Sequence, residues 1–189
     1  HCNKIPEQSI EQISENAYLQ ALKEFNAQQD PEIRAMISKG KNSTLELIPT
    51  LRFNMIANQV DDNIEREFAQ HVSAFMNSSG GTILIGIDNN NEEPIGIESD
   101  YSTLKQHQQN PDGFNNVLFG IVSRLLGSKH IDKLDIQHKG FRGKQICWVY
   151  IQASESPVFF DNGKDIFVRS GSLSKALNMA EAYEYFATH

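Results

Sequence analysis

Cysteine is scarce in this sequence, and long apolar runs are missing. Two cysteines, Cys2 and Cys147, cannot build a disulfide framework or a cysteine-ligated metal cluster. No apolar stretch approaches the ~20 residues of a transmembrane helix, and the first residues lack the cationic start and apolar centre of a signal peptide. We therefore expect a cytoplasmic protein without membrane contact in these residues. Because the chain begins with His1 rather than Met, we expect it to be a piece of a longer protein.

An excess of positive charge is also missing. The net charge is -7 and the sequence pI is about 5.3, which argues against coating nucleic acid through bulk charge, because phosphate neutralisation needs clustered Lys and Arg. The charge is unevenly distributed: residues 1–37 hold three basic against six acidic side chains, whereas residues 139–175 hold six against three. We expect any site for a polyanion within residues 139–175.

The length of 189 residues suits one principal domain with an appendage. Residues 7–25 carry apolar side chains at three- and four-residue steps, which predicts an amphipathic helix. Asp30 before Pro31 predicts the start of a second helix that ends near Gly40. We therefore assign residues 1–38 to an N-terminal helical extension and residues 39–189 to the principal domain.

The principal domain alternates helical and strand patterns. Helices are expected from Asp61 or Asp62 to Asn77, over 113–126 with Asp112 as the cap, and over 179–186. A hairpin is expected to return from strand 82–87 through Ile95 and Ile97. Further short strands are expected at 44–48, 134–137, 146–151, 158–160 and 166–168. These elements predict an α+β fold with a mixed, mostly antiparallel sheet and packed helices.

Residues 74–88 combine a helix end, Asn77, the pair Gly80 and Gly81, an apolar strand and an acidic turn. This segment is similar to the signature of the Schlafen AlbA-type DNA-binding domain, and the resemblance covers about residues 39–188. It implies the α+β fold of that family and a nucleic-acid-binding module of a larger bacterial-type regulatory or defence protein. Five more blocks match in order: Thr44-Leu45-Glu46, Pro94-Ile95-Gly96, Asp100-Tyr101, Pro157-Val158-Phe159 and Phe167-Val168-Arg169-Ser170-Gly171-Ser172.

Two turns have the chemistry to receive a phosphate. Glycines in the turn from Asn77 to Gly81 allow a ligand to approach the backbone closely, although a tight turn without a ligand is the alternative. Arg169 and the following serines offer a guanidinium fork and hydroxyls, although a solvated strand end explains them equally well. The candidate phosphate contacts are Arg52, Arg142, Lys144, Arg169, Ser172 and Lys175, and the candidate turn residues are Asn77, Gly80, Gly81 and Gly171.

Some Schlafen relatives are RNA nucleases, and the resemblance identifies which of their carboxylates this chain lacks. Lys41 and Asn89 stand at two of the three acidic positions, so Glu46 remains with Asp88 as a residual candidate. One carboxylate cannot supply the oxygen-rich shell of Mg²⁺ or Mn²⁺. The six histidines are scattered without zinc-ligand spacing. We therefore expect no catalysis, no metal and no cofactor.

The sequence is compatible with three functions. The first is a non-catalytic module that contacts the backbone of DNA or RNA, since no base-reading helix is evident. The second is a regulatory or oligomerisation module whose partner is a protein or a second copy, with Tyr18, Leu22 and Phe25 on the N-terminal helix available for docking. The third is a residual metal-dependent RNA nuclease that requires Glu46.

Overall fold

The structure is a computed structural model, and it describes residues 31–161, 163 and 165–188. The amphipathic helix expected at 7–25 and the Asp30 cap lie outside the described residues. The helices are α1 Pro31–Ile37, α2 Asp62–Met76, α3 Glu98–Ser102, α4 Pro111–Leu125 and α5 Met179–Thr188. The strands are β1 Leu45–Ile48, β2 Phe53–Asn54, β3 Gln59–Val60, β4 Gly81–Ile85, β5 Leu134–Phe141, β6 Lys144–Ile151, β7 Phe159–Phe160, β8 Asp165–Ser170 and β9 Leu173–Leu177.

The main sheet has four strands in the order β1-β4-β6-β5. Strand β1 runs parallel to β4, and the other two pairings are antiparallel. A second sheet, β7-β8-β9, is wholly antiparallel, and β2 and β3 form a separate hairpin. The expected α+β fold with a mixed, mostly antiparallel sheet is confirmed.

Helices cover both faces of the main sheet because side chains alternate along each strand. Ile83 and Ile85 join the larger core with residues of α2 and α4. Leu84 points the other way and joins a smaller core with Ile33 and Ile37 of α1. Among the described residues, no helix is both long and apolar enough to cross a membrane.

Helices α2 and α4 begin at side-chain caps. Asp61 accepts a hydrogen bond from the Asn63 amide at 2.9 Å, as expected for an N-cap. The cap of α4 is Asn110, which accepts from the Gly113 amide at 2.9 Å, and not the expected Asp112. Pro111 explains the earlier start, because proline is favoured in the first helical turn.

The hairpin expected after β4 forms as a turn without regular strands. The chain reverses through an antiparallel bridge between Ile87 and Pro94, and the Ile95 amide donates to the Gly86 carbonyl at 2.8 Å. Both edges of β4 itself are paired with β1 and β6. Strand β9 was not expected at all. It follows β8 through a two-residue turn in which Gly171 has φ +60°, the conformation that favours glycine at the first position of a tight hairpin turn.

Asp100 holds the segment that follows β1. Its carboxylate is buried and accepts hydrogen bonds from the backbone amides of Leu51, Arg52 and Phe53 at 2.9, 3.0 and 3.1 Å. Burial raises the pKa of Asp100, and the three amides oppose that shift. The Asp100-Tyr101 block of the sequence therefore has a structural role.

The surroundings of the His138 ring disfavour its protonation. The ring packs edge-on against Phe114, and its Nε2 lies 2.8 Å from Asn115 Oδ1. Its Nδ1 is buried without a hydrogen-bond partner among the described residues. Burial lowers the pKa of His138 below the ordinary value of 6.5, because protonation at Nδ1 would leave a charged donor unpaired.

We expect the free energy of unfolding to fall as the pH decreases below about 6.5. A histidine whose pKa is lower in the folded than in the unfolded protein stabilises the fold at pH values above its unfolded pKa. That stabilisation is lost as the pH falls and the folded protein is forced to take up a proton. His138→Gln should reduce the fall, and the buried His130, whose pKa is also lowered by burial, should account for part of the remainder. Urea unfolding at about pH 7.5 and about pH 5.5 measures the difference; an equal fall in both proteins would contradict the assignment.

Candidate nucleic-acid interface

Arg169 lies inside the protein rather than at a solvated strand end. Its side chain is 1% exposed. Nη1 donates to Glu46 Oε2 and to Ser174 Oγ, both at 3.0 Å, and Nη2 donates to the Asn42 carbonyl at 2.7 Å. The guanidinium also lies over the Phe75 ring, 4.5 Å from its centroid. Arg169 therefore connects the second sheet to the start of β1.

Glu46 is surrounded by basic groups. Its side chain is 2% exposed, and Lys41 Nζ lies 2.7 Å from Oε1. His71 Nδ1 lies 3.6 Å from Oε2 and 2.8 Å from Ser174 Oγ. We call Lys41, Glu46, His71 and Arg169 the charge cluster. Within it, both carboxylate oxygens of Glu46 are engaged by cations.

Three further predicted phosphate contacts pair with carboxylates. Arg142 donates to both oxygens of Glu93 at 3.0 and 2.9 Å. Lys175 donates to Glu181 at 2.8 Å and lowers the pKa of that carboxyl. The third is Arg52, whose Nε donates to Thr103 Oγ1 at 3.0 Å and whose Nη1 lies 3.8 Å from Glu65.

Lys144 and Ser172 are exposed, and the six candidates do not share one surface. Lys144 begins β6 at the hairpin end of the main sheet, opposite Phe141. Arg169 lies at the other end, close to the start of β1. Among the described residues, the five candidate cations therefore do not form a single basic surface, because they lie at different ends of the fold and four of them pair with carboxylates. As phosphate contacts, the individual residues stay predictions.

The two residual carboxylates also lie apart along the sheet. Glu46 pairs in register with Ile83, whereas Asp88 follows the end of β4 and accepts from the Asn90 amide at 2.8 Å. Within the part of the chain that the structure describes, no group of three or more His, Cys, Asp or Glu side chains is placed to hold a metal ion.

The turn between α2 and β4 is shaped by close packing. The Asn77 side chain is buried, donates to the carbonyls of Val158 and Phe167 at 2.9 Å, and accepts from the Val158 amide at 2.7 Å. A Cβ on Gly80 would lie 2.6 Å from the Ile151 carbonyl, and one on Gly81 would collide with the Phe75 ring. These glycines therefore let neighbouring backbone and an aromatic ring approach.

Two adjoining clefts lie where β1 and β4 begin. The larger has a volume of about 490 Å³ and the smaller about 290 Å³. Thr44 and Ser79 line both clefts, so we treat them as one continuous groove. Its walls come from the ends of α1 and α2, the segment after β6, and α5. We call this surface the groove.

The larger cleft is rich in hydroxyl groups. Ser43, Ser79 and Ser156 are exposed, whereas Ser78 Oγ accepts from the Arg169 amide at 2.9 Å. Tyr185 donates its hydroxyl to the Asn77 carbonyl at 3.1 Å and, with the neighbouring Phe186, lines one wall. Ser154 completes the set of five serines in the lining.

The smaller cleft has both a cation and an aromatic side chain in its lining. Lys39 is exposed and lines this cleft together with Tyr150, which is 47% exposed. The charged side chains that line the two clefts are Lys39, Glu155 and the internally paired Arg169. The sequence did not identify Lys39 or Tyr150, because neither belongs to a motif and only the fold brings them to the same cleft.

Comparisons with known proteins agree with this fold. The chain is 27% identical over 126 residues to the "Uncharacterized ATP-binding protein UU034" of Ureaplasma parvum serovar 3, covering 60% of this chain and 36% of that protein. The solved structure of the DIP2311 protein from Corynebacterium diphtheriae shares the fold, with a TM-score of 0.50 and 18% identity over 76% of this chain and 23% of that one. The chain thus spans about a third or less of these relatives. The family described as "Schlafen, AlbA_2" matches residues 41–178, and the chain belongs to this family.

Proposed function

We propose that the domain is a non-catalytic module that binds the phosphate backbone of a nucleic acid in the groove. The observation that carries the proposal is the lining, in which five serines and Lys39 share one continuous surface. Hydroxyl and ammonium groups are the usual partners of phosphate oxygens, and such contacts position a strand without reading its sequence. The membership in the Schlafen AlbA_2 family supports the same function.

The charge cluster favours binding over repulsion. An ionised, unpaired Glu46 at this end of the sheet would repel a phosphate, but Lys41 and Arg169 neutralise it. The one exposed carboxylate in the lining is Glu155, in the larger cleft, whereas Lys39 lies in the smaller one. We therefore expect the phosphate contacts to concentrate near Lys39.

The same cluster supports a non-catalytic module. Lys41 replaces one of the acidic residues of the nuclease branch, and its ammonium lies 2.7 Å from Glu46 Oε1, while Arg169 engages Oε2. A divalent cation bound to Glu46 would have to displace these groups and would still lack the further oxygen ligands that it requires. We therefore propose that Glu46 has become a structural residue.

The relative from Ureaplasma is named for ATP binding, and this chain matches a third of it. The sequence of this chain has no Gly-Lys-Ser phosphate loop. ATP is nevertheless a useful competitor, because it presents phosphates without a polynucleotide backbone.

Fluorescence polarisation with labelled DNA and RNA oligonucleotides tests the proposal. We expect dissociation constants of about 10⁻⁴ to 10⁻⁶ M at physiological salt, tightening as the salt concentration falls. Lys39→Gln should weaken binding to every sequence and reduce the magnitude of the salt slope by about 0.7 to 1. Lys105→Gln removes an exposed lysine outside the groove lining and serves as the matched control.

Three results would contradict the proposed function. Absence of binding to DNA and RNA at low salt would exclude a nucleic-acid-binding function. Full displacement of the labelled oligonucleotide by equimolar ATP would indicate a mononucleotide site instead. The RNA recovered after incubation with Mn²⁺ should be intact, because Glu46 is held by Lys41 and Arg169. Cleavage that disappears in Glu46→Ala would restore the nuclease hypothesis.

The alternative of an oligomerisation module stays a prediction. The N-terminal segment predicted to be a helix lies outside the described residues. The tip of the β2–β3 hairpin exposes Met55 and Ile56, at 55% and 99%, and is the apolar surface within residues 31–161 that such a module would most readily use.

A further inference from the structure

Tyr150 is presented to the groove by a rigid support. It lies in β6, between Thr82 of β4 and Asp135 of β5 in the sheet register. Tyr150 is 47% exposed although its strand is paired on both sides. Backbone hydrogen bonds on both edges fix the Cα position, so little conformational freedom is lost when a flat ligand stacks on the ring.

The surroundings of Tyr150 match the chemistry of one nucleotide. Lys39 lines the same cleft and can bind a phosphate, while Tyr150 offers a π-face to the attached base. The larger cleft continues the groove through Ser79 and Thr44 and has a second aromatic wall at Tyr185. Hydroxyls between these two aromatic positions can bond to sugar and phosphate oxygens.

A base can stack on a protein side chain only when it is not stacked within a duplex. Double-stranded DNA presents phosphates and base edges, whereas the base faces are covered by their neighbours. A surface that combines a supported aromatic ring with a cation and hydroxyls suits an unpaired strand, whose bases are free to leave one another.

We propose that the groove selects single-stranded over double-stranded nucleic acid by stacking an unpaired base on Tyr150. The inference rests on the proposed function and specifies its ligand. The strand enters beside Lys39, places one base on Tyr150, and continues past Ser79 into the hydroxyl-rich cleft. Because stacking does not depend on base identity, the selection is for unpaired strands and not for a sequence.

The test compares a single strand of about 12 nucleotides with the blunt duplex of the same sequence, using all 189 residues and fluorescence polarisation at low salt. The single strand should bind about tenfold more tightly or better. Tyr150→Ala should weaken single-strand binding by about 5- to 100-fold, the factor lost with one base–aromatic stack, and leave duplex binding nearly unchanged. Tyr150→Phe keeps the ring and should retain affinity.

Two controls separate stacking from damage to the fold. Tyr183→Ala removes a tyrosine that is 79% exposed on α5 but does not line the groove, and it should bind like the wild type. Tyr150→Leu keeps an apolar side chain in β6 and should melt at nearly the wild-type temperature while it loses single-strand affinity.

The outcomes distinguish this inference from the function on which it rests. Equal or tighter binding of the duplex, or unchanged single-strand binding by Tyr150→Ala and Tyr150→Leu, would overturn the inference and leave nucleic-acid binding in place. No binding of either form by the wild type would remove the proposed function itself.

Discussion

Arg169→Met is expected to lower the free energy of unfolding by about 3 to 5 kcal/mol, the usual loss when one partner of a buried ion pair is removed. The substitution deletes hydrogen bonds to Glu46, to Ser174 and to the Asn42 carbonyl. It also leaves the buried Glu46 with Lys41 and the more distant His71 as its neighbouring basic groups. Chemical denaturation followed by circular dichroism measures the loss, and the melting temperature should fall by about 2 to 4 °C per kcal/mol.

Two further variants test the cause of this loss. Arg142→Met removes an exposed arginine paired with Glu93, with side chains 42% and 59% exposed, and should cost less than about 1 kcal/mol. The double variant Glu46→Leu with Arg169→Met removes both buried charges and should recover part of the stability lost by Arg169→Met alone. Equal losses at Arg169 and Arg142, or no recovery in the double variant, would contradict the buried pair as the cause.

Asp100→Ala should destabilise the fold by about 3 kcal/mol or more, because three backbone amides lose a charged acceptor and each such bond contributes about 1 to 3 kcal/mol. The amides belong to Leu51, Arg52 and Phe53. Their segment connects β1 to the β2–β3 hairpin, so amide hydrogen exchange in the hairpin should also accelerate.

Asp100→Asn and Asp132→Ala provide the comparison. Asparagine retains one acceptor oxygen, so Asp100→Asn should lose less stability than Asp100→Ala. Asp132 is exposed, and its removal should change stability by no more than about 0.5 kcal/mol. A loss in Asp100→Ala as small as that in Asp132→Ala would show that the three hydrogen bonds contribute little.

Local signals explain why part of the fold was predictable. The Asp61 cap, the apolar stripe of α2 and the glycines before β4 all act within a few residues of one another, and this helix, turn and strand were confirmed. The pairing of β4 depends on distant strands, so the turn after β4 was predictable but the pairing of β4 with β1 and β6 was not. Strand β9 was missed because its sequence, Leu173–Leu177, includes Ser174 and Lys175, and resembles a solvated turn.

The candidate site was harder to predict than the fold, because it is formed by contacts between residues that are far apart in the sequence. Arg169 has a typical surface side chain, and only the approach of Glu46 and Asn42, more than a hundred positions earlier, makes its burial possible. The groove likewise combines Lys39, Ser79 and Tyr150, which no local pattern connects. The sequence could identify the family blocks, but the contacts between them follow from the sheet order.

Lys41 supplies the charge cluster with a positive charge that is part of the protein chain. A metal ion in such a position exchanges with the solvent, so its occupancy depends on the concentration of that ion and is lost to a chelator. The Lys41 ammonium is tethered to the chain beside Glu46 and is present whenever the protein is folded. The surface near the start of β1 should therefore keep the same electrostatic character in EDTA as in millimolar magnesium, apart from general ionic screening.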